Sequence, residues 1–425
     1  MIDFFTNPVV RTSMLGTLSM AVASSLVGCI VLLRRRSLIG ETLSHAAFPG
    51  ILVGIFILSF LTADLSNWAN WMFLAMTLGG FLFSLLGLKC VDWMEIRGKV
   101  KPDSALTFVL AAFMGWGILL ASIMQKSHPV GYRQSLLYLY GQAATMTSDQ
   151  AILYGSFTAV LICFLILFYS RLKLINFDTI FAQSLGLRYK PLETATFLLI
   201  VIAIILGIRS VGVVLMAGML IGPAVAARPW SQKFSSMLLI ASGFGLASAL
   251  LGNLLSYKLS SNQFSLPSGP MILLSSSFLC LVSLLIAPKS GLLVRLIRMQ
   301  IFRFRCRMEN GLKLIWKKPK LQAEVSPLIK FSLRMKGWLT KDGALTPSGE
   351  LKAQKIVRLH RLWEVYLVEY LGQNVDKVHR TAEELEHLFS PALEKQLTLL
   401  LNNPVKDPHQ QPIPPRPPSP PGEKL

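Results

Sequence analysis

Nine stretches of this sequence each run for about twenty residues with almost no charge, at about 13–33, 43–62, 68–88, 105–125, 151–169, 192–208, 210–227, 235–256 and 271–287. A helix needs roughly 20 apolar residues to cross the hydrocarbon core of a bilayer, so each run is a candidate span. The sixth and seventh are separated only by Arg209 and Ser210. That pair reads either as two spans or as one span with a re-entrant element, which sets the count at eight to nine. With 52% hydrophobic and 15% charged residues and a mean hydropathy of +0.53, the composition excludes an ordinary soluble protein. One basic residue, Arg11, precedes the first run and no small-residue cleavage pattern follows it, so that run is expected to stay as a span. Five cysteines (29, 90, 163, 280, 306) form no CxxC pair and imply no disulfide framework.

Charge divides the chain. Of 42 Lys+Arg and 22 Asp+Glu, 24 basic and 13 acidic residues follow Pro288, so a polar module succeeds an apolar one. Orientation follows from the basic residues flanking the spans. Nine crossings put Arg34 to Arg36, the loop carrying Lys89, Arg97, Lys99 and Lys101, the segment carrying Arg171, Lys173, Arg188 and Lys190, and Arg228 with Lys233 on one side, the cytoplasm. The N-terminus is then outside and everything beyond Lys289 inside. From 289 to 341 there are 14 basic and two acidic residues, interleaved with Leu, Ile and Phe. That stretch suits either a juxtamembrane helix on an anionic leaflet or the remnant of a nucleic-acid-binding surface.

The expected fold is therefore all-α: a polytopic membrane helix bundle of about eight to nine spans, followed by a small helical cytoplasmic domain. Boundaries are expected at 1–290 for the membrane part, 291–325 for a basic linker or truncated winged-helix segment, 326–411 for the soluble domain and 412–425 for a proline-rich disordered tail. In the soluble part, Thr346 before Pro347 marks a helix start, with Gly372 as its stop. A second helix is expected from about Val375 to Phe389, and a third opens at Ser390-Pro391.

Within the spans, GETLSHAAFPG (40–50) is the most informative segment. Glu41 and His45 are four apart and project from one helical face. Both can ligate a divalent metal, and an ionisable residue inside a span is a functional candidate by default. The alternative is a helix-entry cap or a hydrogen bond to a neighbouring span. Pro49-Gly50 is expected to break or kink the helix and expose carbonyls to a pore. No G-x-x-x-x-G-K-[ST] loop occurs, so the chain has no ATP site of that type.

GETLSHAAFPG, with the basic LRRR before it, resembles the Asp/Glu-x-x-x-His-Ala-x-x-Pro-Gly signature of the ABC-type manganese, iron and zinc permeases. VGVVLMAGMLIGPAVAA (211–227), SYKLSSNQFSLPSGP (256–270) and FDTIFAQSLGLRYKP (177–191) extend the resemblance over roughly residues 10–290. By that resemblance Glu41 and His45 line the metal path or its gate, although Glu41 stands where many members have Asp, one methylene shorter. The segment with Phe177, Asp178, Ala182 and Gly186 would be the coupling helix that docks on an ATPase; the bland reading is an ordinary amphipathic loop. The resemblance implies a permease of the bacterial inner membrane that transports manganese, iron or zinc. Its partners would be a separate ATP-binding cassette ATPase, an extracytoplasmic metal-binding protein, a second permease subunit and membrane lipid, and the chain itself would not be an enzyme.

Four of the six histidines (360, 379, 387, 409) lie in the last quarter of the chain. His360 and Glu364 are i and i+4, and His379, Glu383, Glu386 and His387 share one helical face. Such a nitrogen/oxygen set suits Mn(II) or Fe(II) rather than structural zinc; a solvated face with salt bridges is the alternative. The run from LTPSGEL to NPVKDPHQQPIP resembles the metal-binding and dimerisation region of the diphtheria-toxin-repressor and manganese-repressor metalloregulators. The resemblance makes His360, Glu364, His379, Glu383, Glu386 and His387 ligand positions, and Glu383 in place of the Cys of iron-type members favours manganese. SPLIKFSLRMKGWLTKDG would be a recognition helix and short wing, with Lys330, Arg334 and Lys336 as candidate phosphate contacts to DNA. The earlier helices of a winged helix have only a cramped counterpart within 300–325. The leading reading is a metal-ion permease with a fused metal-sensing domain. The runner-up is a membrane-tethered or released metal-dependent repressor. An ion-coupled secondary transporter is disfavoured by the lack of a buried carboxylate chain or inverted repeat.

Overall fold

In hydrocarbon a backbone N–H or C=O without a partner costs several kcal/mol, so a lipid-exposed chain must satisfy its backbone within each helix. The computed structural model describes residues 8–34, 36, 38–61, 68–141, 143, 146–177, 179–185, 189–260, 266–288, 291–374, 378 and 391–415. The chain divides into two units, Met1–Val294 and Arg295–Leu425.

The first unit consists of α1 (Pro8–Leu33), α2 (Ile39–Leu61), α3 (Trp68–Ile96), α4 (Pro102–Ser127), α5 (Pro129–Tyr140), α6 (Ser148–Leu167), α7 (Tyr169–Phe177), α8 (Thr179–Ser184), α9 (Tyr189–Val211), α10 (Val213–Ala227), α11 (Phe234–Leu259) and α12 (Ser268–Ile286). Eight of these, α1 to α4, α6, α9, α11 and α12, are long and apolar enough to cross a membrane. The run at 210–227 is the exception. It forms α10, 15 residues and so about 22 Å long, short of the roughly 30 Å core. Gly212, at φ 99°, turns the chain between α9 and α10. Gly141 lies flat on that turn, where a Cβ would collide with the Val211 and Gly212 backbone.

α10 returns to the face from which α9 set out, because Val225 and Arg228 line the same cavity as Glu193 and Thr194. It is shielded from lipid: Met216, Met219, Leu220, Ala224 and Ala227 are buried, and Gly28 of α1 meets the Leu220 carbonyl. A short helix at this depth is tolerable because protein surrounds it. α1 starts at the opposite face, with the Ser13 hydroxyl donating to the Ala143 carbonyl at 2.5 Å, whereas Leu284 near the end of α12 lines the cavity. The two ends of the unit thus lie on opposite faces.

Small residues and hydroxyls hold the bundle together, as expected where lipid is as apolar as leucine. Asn253 Nδ2 donates to Thr17 Oγ1 at 2.8 Å, Thr158 to the Ser19 carbonyl at 2.9 Å, and Ser283 to the Ala226 carbonyl at 2.6 Å. Arg209 is held with its guanidinium 4.6 Å from the Phe73 ring centroid. The expected break at Pro49-Gly50 does not occur: α2 is continuous through Pro49. Gly50 instead permits backbone contact with Gly79 of α3, and Gly54 does the same against Ala75. Gly79→Ala should therefore destabilise the unit by about 1–3 kcal/mol through overpacking. Gly243→Ala, which has open space around it, should be neutral or stabilising by about 0.5–1 kcal/mol. Thermal unfolding in detergent checks both.

The second unit is helical as well. Among the described residues it has no strand, only the isolated bridges Leu339–Leu345 and Lys406–Pro412. α13 (Leu292–Lys317) buries Met308, Leu312 and Ile315 against Val325, Leu333, Leu339, Ala353 and Ile356. A 3-10 turn (Pro319–Glu324) and α14 (Pro327–Met335) follow, then the Leu339–Leu345 turn and α15 (Pro347–Glu369). Thr346 caps α15 as the sequence suggests, accepting from the Gly349 N–H at 3.1 Å. The expected second helix, about 375–389, lies outside the described residues apart from Val378, which is buried. α16 (Pro391–Leu400) packs Leu397 against Leu362 and Val365 of α15.

The segment expected to be a free tail from 412 is in part core. Ile413 is buried in that cluster, the Pro414 carbonyl accepts from Arg358 Nη1 at 2.7 Å, and the Pro412 carbonyl accepts from Arg361. Two α15 arginines thus supply donors that proline-rich backbone cannot supply to itself. Arg358 is also a buried ion-pair partner of Glu394 at 3.4 Å, without hydrogen-bond geometry. Arg358→Met should cost the tail about 3–5 kcal/mol, because it leaves the Glu394 charge buried and alone. The added change Glu394→Leu should recover most of that, read as the protease resistance of the tail in the full chain.

Candidate functional site

Along the first turns of α2, Thr42, Leu43, Ser44, Ala46 and Ala47 are buried, while Glu41 and His45 are half-buried. The i, i+4 spacing puts both on one stripe that the bundle leaves partly open. His45 Nδ1 lies 3.2 Å from Met114 Sδ of α4. A carboxylate and an imidazole on α2 and a thioether on α4 are thus half-buried side by side. Two neighbouring contacts fix the backbone beneath it: the Thr42 hydroxyl donates to the Leu106 carbonyl at 3.2 Å and Ser84 donates to the Leu43 carbonyl at 3.1 Å. Such an open strip can pass a cation between ligands without enclosing it. Among the described residues no group of three or more His, Cys, Asp or Glu could hold a metal ion.

On the face where α2 begins, a cavity of about 1060 Å³ opens between helix ends, lined among others by Arg34, Arg36, Asp92, Asn176, Glu193 and Arg228. Arg34 ties three helices together. Its Nε donates to Asn176 Oδ1 at 2.9 Å, its Nη1 lies 3.4 Å from Glu193, and its guanidinium carbon sits 4.8 Å from the Phe197 ring centroid. Burial pushes the Arg34 pKa down, Glu193 opposes that and Arg36 adds to it; an arginine nevertheless stays charged. Arg36 pairs with Glu95 at 2.8 Å. The LRRR motif therefore serves as cross-bracing as well as a topology signal.

Asn176 is the residue before Phe177, so this bracing reaches the proposed coupling segment. Asp178 and Gly186 lie outside the described residues. Ala182 is fully buried on α8 and cannot offer its side chain to a partner. The exposed large apolar side chains of the segment are Phe177, Ile180, Phe181 and Leu185. The sequence reading missed Ile180, Phe181 and Leu185, although their i, i+1 and i+5 spacing on a connection between spans is itself the signal of an apolar face.

In the second unit His360 and Glu364 meet as expected, His360 Nε2 lying 3.1 Å from Glu364 Oε1. The other ring nitrogen, Nδ1, lies 3.3 Å from Lys313 Nζ of α13. An ammonium only donates, so Nδ1 accepts from Lys313 and Nε2–H donates to Glu364. Neither nitrogen then has a lone pair to give a metal. His379, Glu383, Glu386 and His387 lie outside the described residues. Of the candidate DNA contacts, Arg334 donates to the Thr340 carbonyl at 3.2 Å and the Lys341 carbonyl at 2.8 Å, bracing the wing-like turn. Lys336 lies 5.0 Å from the Trp338 ring centroid, and Lys330 is half-buried. The exposed residues of α14 include Leu328, Phe331 and Met335, an apolar set beside Arg334.

Comparison with known proteins agrees with this architecture. The description "ABC 3 transport family" fits residues 6–287, and "Iron dependent repressor, metal binding and dimerisation domain" fits residues 346–415. The chain is 32% identical to a "Probable metal transport system membrane protein" of Chlamydia trachomatis, over 97% of both chains. It is 32% identical to the manganese transport system membrane protein MntC of Bacillus subtilis, over 88% of this chain and 82% of the relative. It is also 32% identical to the zinc transport system membrane protein TroC of Treponema pallidum, over 69% of this chain and 94% of the relative. The solved PsaBC from Streptococcus pneumoniae shares the membrane fold at TM-score 0.58 and 22% identity, over 70% of this chain and 98% of that one. A multi-pass helix bundle with a short interior helix, followed by a repressor-like metal-binding and dimerisation domain, thus identifies the chain as a member of the ABC 3 transport family.

Proposed function

We propose that this chain is the membrane subunit of a bacterial importer for divalent transition-metal ions, manganese or iron foremost and zinc next. The observation that carries this reading is the half-buried stripe of Glu41 and His45 on α2, with Met114 of α4 against the imidazole. An ion leaving water for an apolar barrier needs replacement ligands at that depth. Oxygen and nitrogen donors suit Mn(II) and Fe(II), and a thioether tilts the strip toward softer ions than Mg(II) or Ca(II). The names of the relatives, manganese and zinc transport membrane proteins, point the same way.

Basic residues set the orientation. The cavity face bears Arg34, Arg36 and Arg228 and is the cytoplasmic one by the positive-inside rule. The N-terminus is then outside and residues beyond 290 inside. A separate ATPase supplies the energy, docking on the exposed Phe177, Ile180, Phe181 and Leu185. An extracytoplasmic protein delivers the ion, and a second permease subunit completes the path. Residues 1–290 transport and 326–411 sense metal, with α13 packed into the core of the latter. The wing-like turn between α14 and α15 supports the second reading, a membrane-tethered or released repressor; the apolar outer face of α14 and the bracing role of Arg334 count against base reading by this helix.

Glu41→Ala with His45→Ala should abolish uptake of radioactive Mn(II) while assembly with the ATPase survives; uptake at the unaltered rate would sink the metal-path assignment. For coupling, cysteines at Ile180 or Phe181 should cross-link to the ATPase and a cysteine at Ala182 should not. Cross-linking confined to the loop at 97–101 would move the docking site there.

A further inference from the structure

The contact between α13 and α15 contains an arrangement that the metal-sensing reading does not use. In protein metal sites a histidine ligates through one ring nitrogen, and its other N–H donates to a carboxylate that fixes the ring. His360 and Glu364 reproduce the outer half of that arrangement, with Nε2 3.1 Å from Glu364 Oε1. At Nδ1, where the metal would stand, the structure puts Lys313 Nζ at 3.3 Å. All three groups are buried, Lys313 to 7%, His360 to 1% and Glu364 to 2% exposure.

We propose that the Lys313 ammonium occupies the cation position of the His360–Glu364 pair. In this chain the pair is then a metal-independent lock between α13 and α15.

Three observations support this. The lysine is not a loose surface group that happens to lie nearby: its neighbour Leu312 is fully buried in the cluster that joins α13 to Ala353 and Ile356 of α15. One turn earlier Glu309 pairs with Lys352 of α15 at 3.5 Å, so the helices meet at two polar contacts that agree in placing α13. The imidazole engages both partners at once, the ammonium at Nδ1 and the carboxylate at Nε2. One lone pair on Nδ1 can serve one cation, so Mn(II) at His360 and Lys313 in its present place exclude each other.

The proposal deepens the reading of the tail as a metal-binding domain, because it removes His360 and Glu364 from the ligand set and leaves His379, Glu383, Glu386 and His387 to hold the ion. Its test uses three full-length chains in detergent, unaltered, His360→Gln and Lys313→Met, with equilibrium dialysis against Mn(II) and thermal unfolding with and without Mn(II). His360→Gln should leave the number of bound ions unchanged and the Kd within about twofold, since loss of a true ligand or of its orienting partner typically weakens metal binding by about 10–100-fold and His360 is neither. Lys313→Met should lower the melting temperature of the second unit by the same amount with and without Mn(II), because no ion takes the place of the ammonium. A tenfold weaker Kd or a lost ion in His360→Gln would overturn the proposal, as would a Lys313→Met chain that melts like the unaltered one or regains its melting temperature in Mn(II). If Lys313→Met does not fold, Lys313→Gln replaces it, and the His360→Gln arm decides independently on a chain that keeps its lysine. Should Glu386→Ala with His387→Ala leave binding unchanged while Lys313→Met still melts early, the sensing reading fails and this proposal stands.

Discussion

Everything in the membrane unit depends on one requirement, that no backbone hydrogen-bonding group be left facing hydrocarbon. It makes the eight long helices obligatory, and it decides where irregular backbone is allowed. The turn at Gly212 and the 15-residue α10 are such irregular pieces, and both lie against protein: Gly141 covers the turn and α1 covers the helix. A 15-residue helix facing lipid would leave about 8 Å of hydrocarbon to be spanned by loop. Surrounded by neighbours, it leaves none. The interior position of α10 is therefore a consequence of its length.

The same requirement shapes the candidate path. Because apolar side chains gain nothing by leaving lipid for each other, the bundle is held by close backbone approach at Gly50, Gly54 and Gly79 and by hydroxyl bridges such as Ser84 to Leu43. α2 is gripped on the sides that carry those contacts, and the stripe with Glu41 and His45 is left partly open. A rigid helix with one open polar stripe can present ligands in fixed order, which a passing ion needs more than tight binding. Pro49 does not interrupt it, so α2 offers a passing ion side chains rather than unwound carbonyls.

The spans, the all-helical class and the two-part plan were legible because length and hydropathy are local properties. The Glu41–His45 face was legible because helical spacing fixes which residues share a side. What escaped was whatever depends on packing. The burial of Ala182 and the exposure of Phe181 reflect which side of a six-residue helix meets the bundle, and spacing alone does not choose a side. The segment QPIPP looked disordered from composition, yet Ile413 is one apolar residue with a pocket waiting for it and two arginines to bond the carbonyls around it. The contact between Lys313 and His360 joins residues 47 apart in sequence, and no periodicity reports it.

That last contact separates what a resemblance can transfer from what it cannot. Ligand positions carry over between relatives as residue types on a helix, and His360 and Glu364 have the right types at the right spacing. Whether they hold a metal depends on what fills the space before Nδ1, and α13 fills it with an ammonium. An ammonium and a divalent ion make the same demand on the ring, a lone pair turned toward a positive charge, so the ring's orientation toward Glu364 serves either equally well. The difference is in control. A metal-held contact forms and dissolves with the concentration of free ion, whereas a lysine-held contact persists whenever the helices are packed. In this tail the α13–α15 contact is of the second kind.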